Sequence, residues 1–248
     1  MKKTIKRILL AIGIVIILIV LFFVGYGYKA QSEVKTMTPV ETGEIIENIL
    51  VVKDSFSNLY LIKDSLNYIA IDAGNKIEVI TEELKNLNIN PDMVSAVLLT
   101  HTDGDHVAAI SLFKNAKVYL SKQEEQLING EKSRFLFFGN TIDTEEYSLI
   151  EDQQIFSIGN LKIKGILNPG HTPGSMSFII NDKYLFTGDA LSLKDGKIEK
   201  MNEFFNMDTE TAIKSMGNIT KIPNVEYIFT AHHGYTNDYK NAVSSWGK

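Results

Sequence analysis

The first thirty residues show a hydrophobic pattern unlike that of the remaining chain. Four basic residues precede Ile8, and the run from Ile8 to Val24 contains 17 uncharged, mostly aliphatic residues. At about 1.5 Å of rise per helical residue, this run spans about 26 Å, close to the thickness of a bilayer's hydrocarbon core. The pattern predicts a transmembrane helix over residues 1–30 that serves as an uncleaved signal anchor. A cleaved signal peptide is the alternative, but its apolar core usually has only ~7–15 residues and a small-residue cleavage site follows it.

The charges around this helix predict its orientation. Four positive charges precede the apolar run, and Lys29 alone follows it closely. Positive residues favour the cytoplasmic side, so the N-terminus is expected inside the cell and the rest of the chain outside. We therefore expect a single-pass protein of the cell membrane that contacts the lipid bilayer through this helix.

Beyond the helix, the pattern changes to short alternating segments. Residues 31–43 are polar, contain Pro39 and lack periodicity, which predicts a stalk. From residue 44 to 248, short β-rich runs separated by turn residues alternate with helical patterns, such as residues 77–87, 208–219 and 237–246. These alternations predict one layered α/β domain. The aromatic segment Arg134–Gly139 lies in the weakest part of the pattern and is interpreted as a loop covering the core or as a substrate-facing wall.

Composition narrows the chemistry and the partners. The 248 residues include no cysteine, which excludes disulfides, cysteine ligands and thiol nucleophiles. Without residues 1–30, 20 Lys and Arg remain against 30 Asp and Glu, a net charge of −10. Because an acidic domain repels phosphate backbones, nucleic acid is not an expected partner, and a small-molecule substrate is.

All five histidines follow apolar, strand-like runs and lie in short loops. His101 and His106 follow SAVLLT, His171 follows LKIKGIL, and His232 and His233 follow EYIFT. Loops at strand ends are held by a rigid sheet, which suits ligands that must converge on one point.

The segment HTDGDH combines these histidines with two aspartates. Side chains at His101 and Asp103 can project together from an extended segment, because side chains alternate along it. A helix that begins near residue 105 would present Asp105 and His106 from its first turn. Imidazole and carboxylate groups suit zinc, manganese or iron, so the segment predicts a metal site with two adjacent ligand sets.

Five motifs in order resemble those of the metallo-β-lactamase superfamily. They are IDAG, HTDGDH, NPGHTPGS, FTGDA and AHHG, and the resemblance covers about residues 44–245. It implies an αββα four-layer sandwich with two divalent metal ions, most often zinc, with iron or manganese as alternatives. The form of NPGHTPGS is similar to that of hydroxyacylglutathione hydrolases.

The resemblance also implies a ligand set. The first metal would be held by His101, Asp103 and His171, and the second by Asp105, His106 and His233, with Asp189 bridging the two. Asp72 and His232 would then lie just outside the ligands, although an exchange of roles between His232 and His233 stays open.

Asp103 departs from the family pattern, in which most members have histidine at this position. Either the carboxylate binds the first metal, or that metal is weakly held or absent and the enzyme uses one ion. With two divalent ions and three aspartates the site would carry a charge of +1, against +2 with histidine, which predicts a weaker Lewis acid that accepts harder metals.

These residues predict a membrane-tethered hydrolase. A metal-bound hydroxide would attack a small ester, thioester, lactone or lactam. Asp105 would orient the water and accept its proton, while Tyr235 would contact the substrate or pack as a core aromatic. Thr100 and Thr102 are expected to hydrogen bond to the ligands. A non-catalytic metal-binding or sensing domain and an iron-dependent oxidoreductase of the same fold are the alternatives.

Overall fold

The computed structural model describes residues 2–244 and Trp246. Four residues lie outside the described part of the chain: Met1, Ser245, Gly247 and Lys248. They include the first residue of the predicted transmembrane segment, the last residues of the predicted hydrolase domain and one position of the helix predicted over 237–246. The chain divides into two compact units, residues 1–37 and residues 38–248. Each is described by itself.

The N-terminal unit is a helix, α1, which spans Lys2–Val34. Its apolar side chains are exposed, and its length and composition are sufficient to cross a membrane, a test that a signal sequence also passes. The helix continues four residues past the expected end at residue 30. An ion pair between Lys29 and Glu33, one turn apart, accompanies this extension.

Much of the segment predicted as a stalk belongs to the second unit. The Thr38 amide donates to the His232 carbonyl at 2.9 Å, and the Val40 amide donates to the Asn58 side chain at 2.9 Å. Because these bonds satisfy its backbone, the segment from residue 38 onwards lies on the domain surface. Of the segment predicted as a polar stalk, residues 31–34 thus belong to α1 and residues 38–43 to the second unit.

The second unit contains two large sheets. The seven-stranded sheet has the spatial order β1 (Gly43–Ile46), β2 (Ile49–Asp54), β3 (Ser57–Asp64), β4 (Asn67–Ile71), β5 (Val94–Leu98), β6 (Lys117–Ser121) and β7 (Tyr147–Ile150). The six-stranded sheet has the order β15 (Tyr235–Thr236), β14 (Tyr227–Phe229), β11 (Tyr184–Phe186), β10 (Met176–Ile180), β9 (Leu161–Leu167) and β8 (Ile155–Ile158). A separate hairpin pairs β12 (Ser192–Lys194) with β13 (Lys197–Glu199).

Within the described part of the second unit, five helices accompany these sheets: α2 (Ile77–Asn86), α3 (Gly104–Val107), α4 (Glu125–Ile128), α5 (Thr209–Ile219) and α6 (Tyr239–Val243). The apolar spacing correctly predicted α2, and Asp208 caps α5 as expected, since its carboxylate accepts from the Thr211 amide. A short 3₁₀ turn over Ile110–Leu112 follows α3.

Three buried clusters separate four layers. In β3, Leu59 and Leu61 face α2, whereas Tyr60 and Ile62 face the second sheet, as the two-residue period of a strand requires. A third cluster joins the outer face of the second sheet to α5, with Leu185 against Met216 among its members. This arrangement of helix, sheet, sheet and helix confirms the predicted αββα sandwich.

Candidate metal centre

The candidate site lies where five strands end. Asp72 follows β4, the segment HTDGDH follows β5, and His171, Asp189 and His232 come after β9, β11 and β14. Because β4 and β5 are parallel, as are β11 and β14, the carboxyl ends of each pair meet at one sheet edge. The site residues thus lie in loops at strand ends, as expected from the sequence.

Two groups of ligand-type side chains result, which we call the first and second sets. The first set is His101, Asp103 and His171, and the second set is Asp105, His106 and His232. In the second set, Asp105 Oδ2 lies 3.6 Å from His106 Nε2 and 3.4 Å from His232 Nε2. Such separations are those of atoms that could share one cation.

Asp189 lies between the two sets. Its Oδ1 is 3.1 Å from His232 Nε2 and 3.6 Å from His106 Nε2. Its Oδ2 is 3.5 Å from His171 Nε2 and 4.0 Å from His101 Nε2. One carboxylate oxygen therefore faces each set, which is the geometry of a bridging ligand.

Hydrogen bonds from β4 and β5 fix two of the imidazole rings. Asp72 Oδ2 lies 2.9 Å from His106 Nδ1 and accepts from the Thr100 hydroxyl at 2.9 Å. Because Thr100 donates its only hydroxyl proton to Asp72, it accepts from His101 Nδ1 at 3.1 Å. Both rings thus carry a proton on Nδ1, so Nε2 is the nitrogen that faces the site and is available to a metal.

The other two rings are held by neighbouring loops. His232 Nδ1 lies 2.8 Å from the Phe56 carbonyl, which can only accept, so this nitrogen is the donor. His171 Nδ1 makes a longer contact of 3.4 Å with Asn206 Oδ1. His232 is therefore oriented more firmly than His171.

Buried polar atoms without a hydrogen-bond partner support a metal site. Among the described residues, His101 Nε2, His106 Nε2 and Asp189 Oδ1 are buried in this condition. Leaving such atoms unpaired costs free energy, and a cation bound among them would remove that cost. The residues therefore fit the divalent metal that the sequence motifs imply.

Electrostatics differ between the two sets. Burial opposes protonation of His106, but Asp105, Asp72 and Asp189 outweigh it and raise the pKa of His106 well above its usual value. The pKa of His232 is also raised, because Asp189 and Asp105 outweigh its burial. By contrast, burial and two neighbouring histidines lower the pKa of His101. The second set is thus the stronger attractor of positive charge.

The structure corrects the expected roles of His232 and His233. Adjacent side chains in an extended segment point in opposite directions, and His232 is the one that reaches Asp189. The His233 amide donates to Thr230 Oγ1 in the turn before Gly234, and its half-buried ring belongs to neither set. Choosing His233 because it directly precedes a glycine was wrong.

Tyr235 is also placed differently from the expected substrate contact. It lies in edge strand β15, its ring stacks on Phe229 at 5.7 Å between centroids, and its hydroxyl lies 3.5 Å from the Ile45 carbonyl. Tyr235 therefore packs on one face against Phe229 while 37% of the residue stays exposed.

Arg134 was missed by the sequence analysis and contacts the first set directly. Its Nε donates to Asp103 Oδ1 at 2.8 Å and its Nη2 donates to Asp103 Oδ2 at 2.7 Å. Asn140 adds a bond to Asp103 Oδ1 at 2.9 Å. One signal was available: Arg134 and Arg7 are the only arginines beside 23 lysines, and arginine is favoured where a bidentate fork must hold a carboxylate.

Glu124, also missed, ties two of the site loops together. Its Oε1 accepts from the amide and the hydroxyl of Thr102, both at 2.8 Å, and its Oε2 accepts from the Thr172 hydroxyl at 2.6 Å. The side chain is fully buried, and burial raises its pKa against the effect of these bonds. Thr102 thus acts through Glu124, not through a ligand.

The loop that carries Arg134 does not cover the core. Leu136, Phe137 and Phe138 are 56%, 78% and 57% exposed. The interpretation of this segment as a core-covering loop is therefore wrong for these three side chains. They form an exposed apolar tip just beyond Arg134 in the chain.

Comparison with known proteins decides the family. The metallo-beta-lactamase superfamily model matches residues 52–232. The chain belongs to this superfamily. The predicted family and the prediction of a metallo-hydrolase are confirmed at this level.

Three curated relatives are similar over much of the chain. A probable metallo-hydrolase of Methanocaldococcus jannaschii is 30% identical over 67% of this chain and 71% of its own length. Hydroxyacylglutathione hydrolase GloC of Haemophilus influenzae is 29% identical over 69% of this chain and 82% of its own length. A probable polyketide biosynthesis zinc-dependent hydrolase of Bacillus velezensis, BaeB, is 31% identical over 53% of this chain and 54% of its own length.

A solved structure shares the fold. A metallo-beta-lactamase mutant from Cronobacter sakazakii superposes with a TM-score of 0.63 at 20% identity, covering 78% of this chain and 81% of that one. This likeness concerns the fold alone.

Proposed function

We propose that this protein is a membrane-tethered metallohydrolase that cleaves a small ester, thioester, lactone or lactam with water. The observation that carries the proposal is the second set together with Asp189: four ligand atoms from three loops, separated by 3.1–3.6 Å along the four measured pairs. Ligand atoms at about 2.0–2.1 Å from a tetrahedral zinc lie about 3.3–3.4 Å apart, which matches these separations.

A divalent ion such as zinc, which suits these nitrogen and oxygen donors, would lower the pKa of water and polarise the substrate carbonyl. Asp105 is the second-set ligand most open to solvent, with 23% of its side chain exposed against 1% for His106 and 2% for His232. It is therefore placed to orient an incoming water and to receive its proton. Asp72 keeps His106 in the tautomer that ligation requires.

The substrate class is supported by two features. A hydroxyacylglutathione hydrolase and a polyketide hydrolase are among the relatives, so acyl derivatives are the class we propose here. The exposed apolar tip of Leu136, Phe137 and Phe138 belongs to the same loop as Arg134, which reaches Asp103. An apolar acyl group is the part of a substrate that such a tip would contact.

The test combines metal content with hydrolysis of a panel of an ester, a thioester, a lactone and a β-lactam by the full-length protein. His232→Ala should lose metal from the second set and reduce kcat/KM by about 10²–10³-fold, a loss of about 3–4 kcal/mol of transition-state stabilisation. His233→Ala is the matched control, because it removes an adjacent histidine that lies in neither set. It should keep metal and turnover.

A protein that binds no divalent metal, or one that hydrolyses none of the four substrates when loaded with zinc, would refute the proposal. Equal losses in His232→Ala and His233→Ala would refute the assignment of His232 as a ligand.

Membrane tethering rests on α1. Its exposed apolar surface from Lys3 to Val34 would be stable in a bilayer and not in water. Fractionation of cells that express the full chain should place it in the membrane, with the hydrolase domain digested by protease added to intact cells. Recovery of the chain in the soluble fraction would contradict the tether.

A further inference from the structure

The two sets differ in what already occupies their ligand atoms. Beside the second set, Asp189 Oδ1 is buried and has no hydrogen-bond partner among the described residues. In the first set, Asp103 Oδ2 accepts from Arg134 Nη2 at 2.7 Å and lies 3.1 Å from His171 Nε2. Asp103 Oδ1 accepts from Arg134 Nε and from Asn140. Both oxygens of Asp103 are therefore committed to protein donors.

The Arg134 guanidinium also places a positive charge close to a second ligand of the first set. Arg134 Nη2 lies 3.4 Å from His171 Nε2, so a permanently charged group sits beside the nitrogen that a metal would use. The same Nη2 donates to the Phe205 carbonyl at 2.7 Å, which holds the group in place. A divalent ion at the first set would meet this positive charge at short range.

Spacing points the same way. The three ligand atoms of the second set, taken together with Asp189 Oδ1, give four pair distances of 3.1–3.6 Å. The corresponding atoms of the first set and Asp189 Oδ2 spread over 3.1–4.0 Å. The second set is thus the more evenly spaced of the two, while in the first set a guanidinium already holds the carboxylate.

We propose that Arg134 acts as a positioning residue that sets the metal stoichiometry: by holding Asp103, it leaves one tightly bound ion at Asp105, His106, His232 and Asp189. A second ion at His101 and His171 must displace Arg134 from Asp103 and therefore binds at least tenfold more weakly. This inference rests on the proposed metallohydrolase function and specifies how many ions its site binds tightly.

The experiment is equilibrium dialysis of the full-length, detergent-solubilised protein against buffered zinc, with bound zinc measured by elemental analysis. The wild-type protein should bind one equivalent first and the second only at ten times the free zinc concentration or more. Arg134→Gln should bring the second equivalent to within about threefold of the first, because Asp103 is released. Lys132→Gln, which removes an exposed positive charge from the same loop, is the control and should titrate like the wild type.

Two equivalents of zinc bound with the same affinity by the wild type would overturn the inference without any variant. An unchanged gap in Arg134→Gln would overturn it as well. Thermal melting checks that the variant folds, and Arg134→Met replaces it if it does not. If the wild type takes up zinc in two steps but hydrolyses no substrate, the proposed function fails and this inference stands. If the wild type is active and binds two zinc ions with equal affinity, the proposed function stands and this inference fails.

Discussion

The two ligand sets lie side by side and share Asp189, but the protein prepares them differently. In the second set, the rings of His106 and His232 are oriented by Asp72 and by the Phe56 carbonyl at 2.9 and 2.8 Å. In the first set, the Nδ1 atom of His171 makes a longer contact of 3.4 Å with Asn206 Oδ1, and Asp103 is bound by Arg134. The same fold thus supports one position rigid enough for a resident ion and another whose carboxylate has a competing partner.

This difference shows that a motif match does not determine what a position binds. Asp103 occupies a ligand place of the family, but its partner comes from a loop about thirty residues further along the chain. A carboxylate that already accepts hydrogen bonds from a bidentate arginine must lose those bonds before it can bind a metal.

The largest effect is expected from the residue that the two sets share. Asp189→Ala should remove metal from both, because one carboxylate oxygen faces each set, and should lower kcat/KM by about 10³-fold or more. Elemental analysis and hydrolysis rates measure both outcomes. Asp182→Ala, which removes an exposed carboxylate paired with Lys162, should change neither. If Asp189→Ala retained a full equivalent of zinc, Asp189 would not be a bridging ligand.

An intermediate effect is expected from the residues that orient the rings. Asp72→Asn should weaken zinc binding at the second set by about 10–100-fold, because it disturbs the Nδ1 contact of His106. Asn206→Ala should weaken binding less, because its contact with His171 is long. Zinc affinities from competition with a chelator measure the two changes. A larger loss of zinc affinity in Asn206→Ala than in Asp72→Asn would contradict the claim that the second set binds zinc more tightly than the first.

The smallest effect is expected in the pH dependence of the metal-free protein. The folded pKa values of His106 and His232 lie above the unfolded value of 6.5, because nearby carboxylates outweigh burial. Their contribution to stability is therefore complete below pH 6.5 and is lost as the pH rises from 6.5 through the folded pKa values. The melting temperature of the metal-free protein should fall by about 2–4 °C for each kcal/mol lost.

Zinc supplies positive charge in place of these protons, so the zinc-loaded protein should show no such decline between pH 6.5 and 8.5. The test is to measure the melting temperatures of the metal-free and the zinc-loaded protein side by side over this pH range. A melting temperature of the metal-free protein that rises over this range would contradict the assigned charges.

Sequence patterns predicted the layers and the strand ends well, because both follow from local rules. The two-residue alternation of β3 and the spacing of Ile80 and Leu84 in α2 determine which side chains face which layer. The site histidines and aspartates come after β4, β5, β9, β11 and β14, so the sheet order brings them close together. The helix expected near residue 105 is present as α3, whereas the short turn at residues 110–112 was harder to predict, since a single helical turn has no period.

What failed depended on the direction of single side chains and on distant loops. The choice between His232 and His233 is made by the backbone after β14, where Gly234 has a φ of 78°, and no spacing rule specifies that direction. Arg134 lies in a segment without periodicity, and its contact with Asp103 spans 31 positions. Tertiary structure alone brings these two residues together.

The most direct test of the central claim is anomalous diffraction at the zinc edge from crystals of the zinc-loaded, full-length protein. We expect one strong peak within about 2.0–2.2 Å of ligand atoms of Asp105, His106, His232 and Asp189. We expect at most a weaker peak beside His101 and His171 while Arg134 holds Asp103. A map with no peak among Asp105, His106 and His232, or with its strongest peak at the first set, would contradict the account.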